Sequence, residues 1–131
     1  MKLDLKCVRD SLIALEEMSD LDNNLVPKVL YIEDFLENSN TSKYSKKVII
    51  YTLERLCDGG LINANFKRSR AKLYRATITE LTFDGHQYLE AISNSKIFDM
   101  AMSKLDELGS GVTLDILKGL CTKLLKEKLG L

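Results

Sequence analysis

Between Asn38 and Thr79 the chain carries nine basic residues (Lys43, Lys46, Lys47, Arg55, Lys67, Arg68, Arg70, Lys72 and Arg75) against two acids, Glu54 and Asp58. Ammonium and guanidinium groups at that density serve one chemistry, the binding of anions, and double-stranded DNA is the polyanion they suit best. The excess is local. The chain of 131 residues is neutral, with 19 basic and 19 acidic residues. Residues 1–37 hold four cations and nine acids, and residues 80–131 hold six and eight. Attraction to a polyanion therefore depends on orientation, because the flanks repel it.

Other reactive side chains are few. Cys7, Cys57 and Cys121 lie far apart with no CxxC pair, and His86 is the one histidine. Structural zinc sites use paired ligand spacings, so no metal and no cofactor is expected. Each cysteine falls where a helix would bury a small side chain, which reads as a free thiol in a reducing compartment. His86 has no Ser or Cys partner at a recognisable spacing and reads as a packing or capping residue. P-loop, nucleophile-elbow, HExxH and paired-carboxylate signatures are missing. Gly59, Gly60, Gly109 and Gly111 read as helix stops, so an enzyme is not expected.

At 45% hydrophobic and 29% charged residues the chain can bury a core, and its length fits one domain with a terminal appendage. The longest purely aliphatic run is Val48-Ile49-Ile50, far below membrane-spanning length. The N-terminus lacks an apolar signal core. A cytoplasmic protein with no membrane partner is the expectation.

Hydrophobic spacing supplies the elements that must position the cations. Leu5, Val8, Leu12 and Leu15 predict a first helix, capped by Asp4 and ending near Met18. Leu30, Ile32, Phe35 and Leu36 predict a short second helix ending before Asn38. Ile49, Thr52, Leu53 and Leu56 predict a third, capped by Thr41 or Ser42 and closed by Gly59-Gly60. The period then falls to two: Ile62, Ala64 and Phe66, then Tyr74, Ala76 and Ile78, predict a β-hairpin. Its tip, Lys67 to Lys72, lacks Asn-Gly or Asp-Gly, which favours a longer mobile loop over a tight turn. A fourth helix follows, with Thr82 as cap, Asp84 in its first turn and Gly85 where a backbone could approach closely. Ser95 caps a fifth, using Phe98, Ala101, Met102, Leu105 and Leu108 and closed by Gly109. Thr113 caps a sixth.

Three helices, a two-stranded hairpin and another helix is the order of a winged helix-turn-helix. The expected fold is thus α+β and mostly helical, with a winged domain over residues 1–93 and a helical extension over 94–131. Readers of this kind place the third helix in the major groove, while phosphate contacts fix the register. The expected DNA-binding residues are Lys43, Tyr44, Ser45, Lys46, Lys47, Tyr51 and Arg55 on the third helix, with Lys67, Arg68, Arg70, Lys72 and Arg75 on the wing. Cations at a helix N-terminus oppose the macrodipole, at about a few tenths of a kcal/mol each. A local rule broken there points to an external use of the charge, although solvated lysines fit the same pattern. Six phosphate contacts would give a salt slope of about −5.

Three segments, Tyr51 to Ile62 (YTLERLCDGGLI), Leu81 to Leu89 (LTFDGHQYL) and Gly109 to Leu117 (GSGVTLDIL), carry a family resemblance, and Met1 to Glu17 suits it too. Together they resemble the winged-helix domain-of-unknown-function family of phages and Gram-positive bacteria. That family's pattern is a helix ending in GLI, a variable hairpin, then LTWEGHEFL. Thr52 stands where the family often has histidine, and Phe83 where it has tryptophan; both read as changes in core packing. The resemblance implies a winged-helix fold and a phage or prophage context, and no assigned activity.

The last helix carries seven leucines and isoleucines from Leu114 to Leu129. It either packs back on the first helix or offers a homodimer surface through Leu117, Leu120, Leu124 and Leu125. The functional expectation is a small DNA-binding transcriptional regulator. The alternative is a protein-protein interaction module of phage origin acting on a host protein, with Tyr44, Ile50 and Tyr51 exposed for contact.

Overall fold

The computed structural model describes residues 1–108 and 113–131. The helix stops expected at Gly109 and Gly111, and the first residues of the GSGVTLDIL segment, lie outside these. The described chain is α+β and mostly helical, in two compact units, Met1–His86 and Gln87–Leu131.

In the first unit, α1 (Leu5–Met18) starts where the Asp4 carboxylate accepts from the N–H groups of Lys6 and Cys7 at 3.0 and 3.1 Å. It buries Cys7, Val8, Leu12 and Leu15. A tight loop follows, in which Asp22 Oδ1 accepts from the N–H groups of Asn24 and Val26. Leu25 stands at its tip with φ of 63°, in the left-handed region, and is 77% exposed.

The loop delivers β1 (Leu30–Tyr31), which pairs with β3 through Leu30↔Ile78 and Tyr31↔Thr77. This strand is new relative to the sequence expectation of a two-stranded wing. Two residues carry no readable alternation, and they become a strand because β3 offers them an open edge. Helix α2 (Ile32–Glu37) begins at once, its Asp34 carboxylate accepting from the Tyr31 N–H at 2.8 Å.

Helix α3 (Lys46–Asp58) begins later than the sequence suggested. Its cap is Ser45, whose Oγ accepts from the Val48 N–H at 3.3 Å. Thr41 is buried instead, its hydroxyl donating to the Phe35 carbonyl oxygen. Ile49, Thr52, Leu53 and Leu56 form the fully buried stripe that the spacing predicts. Gly60, with φ of 76°, ends the helix region as expected.

Strands β2 (Ile62–Ser69) and β3 (Lys72–Leu81) complete an antiparallel sheet in the order β1-β3-β2. The expected long tip is in fact a two-residue turn, with Ser69 paired to Lys72. Neither Arg70 nor Ala71 has a positive φ. A register shift between Lys67 and Arg68 adjusts the strand geometry that a glycine turn would otherwise supply. The core of this unit gathers α1, α2 and α3 over Ala76 and Ile78 of the sheet.

The division between the units falls within α4 (Phe83–Ile92). The second unit contains α5 (Ser95–Leu108) and α6 (Leu114–Leu129). Asn94 is the cap of α5, its side chain accepting from the Ile97 N–H at 3.0 Å, so Ser95 is the first helical residue and not the cap. Thr113 caps α6 as expected. Ile97, Phe98, Ala101, Leu105, Leu117, Cys121 and Leu124 are buried, and the Tyr88 hydroxyl donates to the Leu114 carbonyl oxygen at 2.6 Å.

Candidate nucleic-acid interface

The N-terminal turn of α3 holds Lys46 and Lys47 as its first two residues and no acid, so both ammonium groups oppose the helix dipole. Lys43 and Tyr44 lie before the helix and reach Asp10 of α1, Lys43 from an exposed position. The Tyr44 hydroxyl donates to Asp10 Oδ2 at 2.6 Å, and Lys43 Nζ stands 3.1 Å from the same oxygen. Burial, reinforced by Asp10, pushes the Tyr44 phenol well above its ordinary range. These two side chains anchor the turn, and Ser45 is committed to capping.

Farther along α3 the charge is compensated. The Arg68 guanidinium reaches from β2 to grip both carboxylate oxygens of Glu54, with NH2 to Oε1 at 2.7 Å. That fork holds the Glu54 carboxyl below the usual carboxylate range. Arg55 pairs with Asp58 at 2.8 Å and lies over the Tyr51 ring, 5.1 Å from its centroid. The Tyr51 hydroxyl donates to the Met1 carbonyl oxygen at 3.0 Å. Sequence reasoning counted Lys43, Arg55 and Arg68 as free and overlooked Asp10 as a partner. A signal existed for Glu54 and Asp58: two acids among nine cations sit where they are paired.

Of the nine cations between Asn38 and Thr79, six have no acidic partner among the described residues: Lys46, Lys47, Lys67, Arg70, Lys72 and Arg75. All six are exposed. Lys67 and Arg75 are direct cross-strand partners, a like-charge pairing that destabilises a sheet left to itself. A groove of about 370 Å³ brings Lys46 of α3 and Arg75 of β3 to one lining, with Tyr31, Ile32, Glu33, Ile50, Leu73, Tyr74 and Ala76. One cation of the helix and one of the hairpin therefore share this lining. Sequence spacing gave no sign of the groove, because three separate segments build it.

A family model described as a hypothetical protein, DUF2513, matches residues 2–112. The chain belongs to the DUF2513 family. No curated protein and no solved structure matches it.

In this DUF2513 member the LTFDGH segment is a structural joint, and it meets the GLI segment directly. The Thr82 hydroxyl donates to the Gly60 carbonyl oxygen at 2.6 Å and accepts from the Gly85 N–H at 3.0 Å, while the Thr82 N–H donates to the Leu61 carbonyl oxygen. His86 does no packing: its side chain is exposed, with Nδ1 4.0 Å from Glu16 Oε2. Phe83 is 77% exposed and so outside the core, whereas Thr52 is buried within it.

Among the described residues no cluster of three metal-ligating side chains occurs, and no helix is long and apolar enough to cross a membrane. Cys7 and Cys121 are buried thiols whose pKa burial raises, and Cys57 is half-buried. Of the residues expected at a dimer surface, Leu117 and Leu124 are buried within the single chain, and Leu120 and Leu125 are half-buried.

Proposed function

We propose that this DUF2513 protein is a winged helix-turn-helix DNA-binding protein, a transcriptional regulator of phage or prophage origin acting in the cytoplasm without a catalytic step. Helix α3 reads the major groove from its Lys46–Lys47 end, and the hairpin holds phosphates as the wing. The order α1-β1-α2-α3-β2-β3, with β1 closing the sheet beside β3, supports the winged-helix assignment. The observation that carries the reading is the set of six exposed, uncompensated cations, two of which, Lys46 and Arg75, line one groove. Lys43 and Tyr44 are engaged with Asp10, Arg55 with Asp58 and Arg68 with Glu54, so they contribute less free charge to the surface.

The test is fluorescence anisotropy with random-sequence duplex DNA at two salt concentrations. Wild type is expected to show a log–log salt slope of about −5, and the R70A/K72A/R75A variant a slope of about −3. Equal slopes, or no binding at low salt, would remove the nucleic-acid reading.

A second reading, a protein-interaction module acting on a host protein, rests on the apolar part of the same groove, Tyr31, Ile32, Ile50 and Tyr74. A homodimer through α6 would use Leu120 and Leu125 with the exposed Ile116 and Leu129.

A further inference from the structure

We propose that the edge of β3 left uncovered by β1 is a docking slot for an extended, acidic segment of a partner protein, which joins the sheet as a strand antiparallel to β3. This goes beyond the DNA reading and does not rest on it.

The argument begins with a mismatch of lengths. β3 has ten residues and β1 has two. β1 pairs at Ile78 and Thr77, and the chain then turns into α2 at Ile32. On that side, the backbone of Lys72 to Ala76 has no partner strand among the described residues. An uncovered edge is a row of unused N–H and C=O groups, and main-chain pairing to it is a known mode of peptide capture. β1 itself demonstrates that this edge accepts an antiparallel strand. An incoming segment would continue the line that β1 abandons.

The groove lies along this edge. Its lining takes four consecutive residues of β3, Leu73 to Ala76, and three consecutive residues at the β1–α2 junction, Tyr31 to Glu33. Consecutive residues mean that the groove follows the backbone and does not rest on one sheet face. Ile50 and Leu73 are half-buried, and Tyr31 and Tyr74 are 45% and 62% exposed. Apolar side chains of an occupant would meet these. Charge selects the rest of its chemistry. Lys46 and Arg75 carry no partner among the described residues, Lys72 is exposed just beyond, and Glu33 is the one acid of the lining. An alternation of apolar and acidic side chains satisfies both. Duplex DNA would use the cations and leave the open backbone and the tyrosine walls unused.

The test uses the full chain and fluorescein-labelled hexapeptides, titrated to high concentration. One peptide alternates valine with glutamate, a second valine with lysine. Two further glutamate peptides are N-methylated on alternate backbone nitrogens, in opposite phasings. The glutamate peptide is expected to bind at least about tenfold tighter than the lysine peptide. One phasing of N-methylation is expected to weaken it at least about tenfold and the other to leave it unchanged, because alternate N–H groups face the sheet. The K46E/R75E variant is expected to reverse the glutamate-over-lysine preference. Should that variant fold poorly by circular dichroism, hydrogen exchange on wild type decides: the alternate amides of Lys72 to Ala76 that face the open edge slow when the glutamate peptide is bound. Binding indifferent to N-methylation phasing, a lack of preference for glutamate, or binding of a DNA duplex but no peptide would each overturn the proposal.

Discussion

Gly85 lies against the backbone of Leu61: a β-carbon added to Gly85 would stand 1.9 Å from the Leu61 carbonyl oxygen. The obstruction is main chain, which has no rotamer with which to move aside. Gly85→Ala is therefore expected to cost about 3 kcal/mol or more in urea unfolding. Gly119 is the control. It lies inside α6 with open space around it, so Gly119→Ala is expected to stabilise by about 0.5–1 kcal/mol. Similar effects at the two sites would contradict the close approach.

Tyr44 and Asp10 make a second joint, between α1 and the turn before α3. Tyr44→Phe leaves the buried Asp10 carboxylate with Lys43 but without its hydroxyl donor, at a cost of about 1–3 kcal/mol. Burial first and then Asp10 raise the Tyr44 phenol. A group with a raised folded pKa contributes stability that is fully present below its unfolded value, about 10 for tyrosine. That stability is lost as pH rises through the folded value. In an alkaline absorbance titration, wild type should show a late tyrosinate component that Y44F reduces; an unchanged titration would place the phenol in solvent.

Glu54 behaves oppositely. The Arg68 guanidinium holds its carboxyl low. Its contribution is present above the unfolded carboxyl value, about 4.3, and is lost as pH falls through the lower folded value. Because Arg68 is half exposed, solvent screens the pair and its contribution is small. Glu54→Gln should flatten the stability curve in that acid window. It also releases Arg68, so on the DNA reading the salt slope should steepen by about one. A slope that stays fixed would mean that Arg68 does not reach phosphate even when freed.

Leu25 gives a prediction of gain. A left-handed backbone at a non-glycine residue costs about 1 kcal/mol, and this side chain is exposed, so little burial offsets it. Leu25→Gly is expected to raise the melting temperature, by the equivalent of about 0.5–1 kcal/mol. A lower melting temperature would show that the leucine side chain holds the loop.

Much of this was legible from residues close in sequence. The stripes of α1 and α3, the Asp4 and Thr82 caps, the stop at Gly60 and the close approach at Gly85 all follow from local spacing. The features that were not legible depend on distant partners. Ser45 caps α3 in place of the expected Thr41 or Ser42, because Thr41 is tied to the Phe35 carbonyl oxygen, six residues back. β1 exists because β3 has room for it. The basic stretch predicted charge and where it lies along the chain, but which cations are left over was settled by Asp10, Glu54 and Asp58.

The other edge of the sheet has a consequence for behaviour at high concentration. Among the described residues no strand pairs with the outer side of β2, and two hairpins laid edge to edge could zip into a continuing sheet. Lys67 and Arg68 lie in that strand, with Arg70 at the turn beyond it. Arg68 is matched by Glu54, so the repulsion that guards against such stacking comes from Lys67 and Arg70, as charged gatekeepers on exposed strands do. The hairpin's cations are therefore also a solubility device, and a protein stripped of them is expected to cloud or form fibrils before it unfolds.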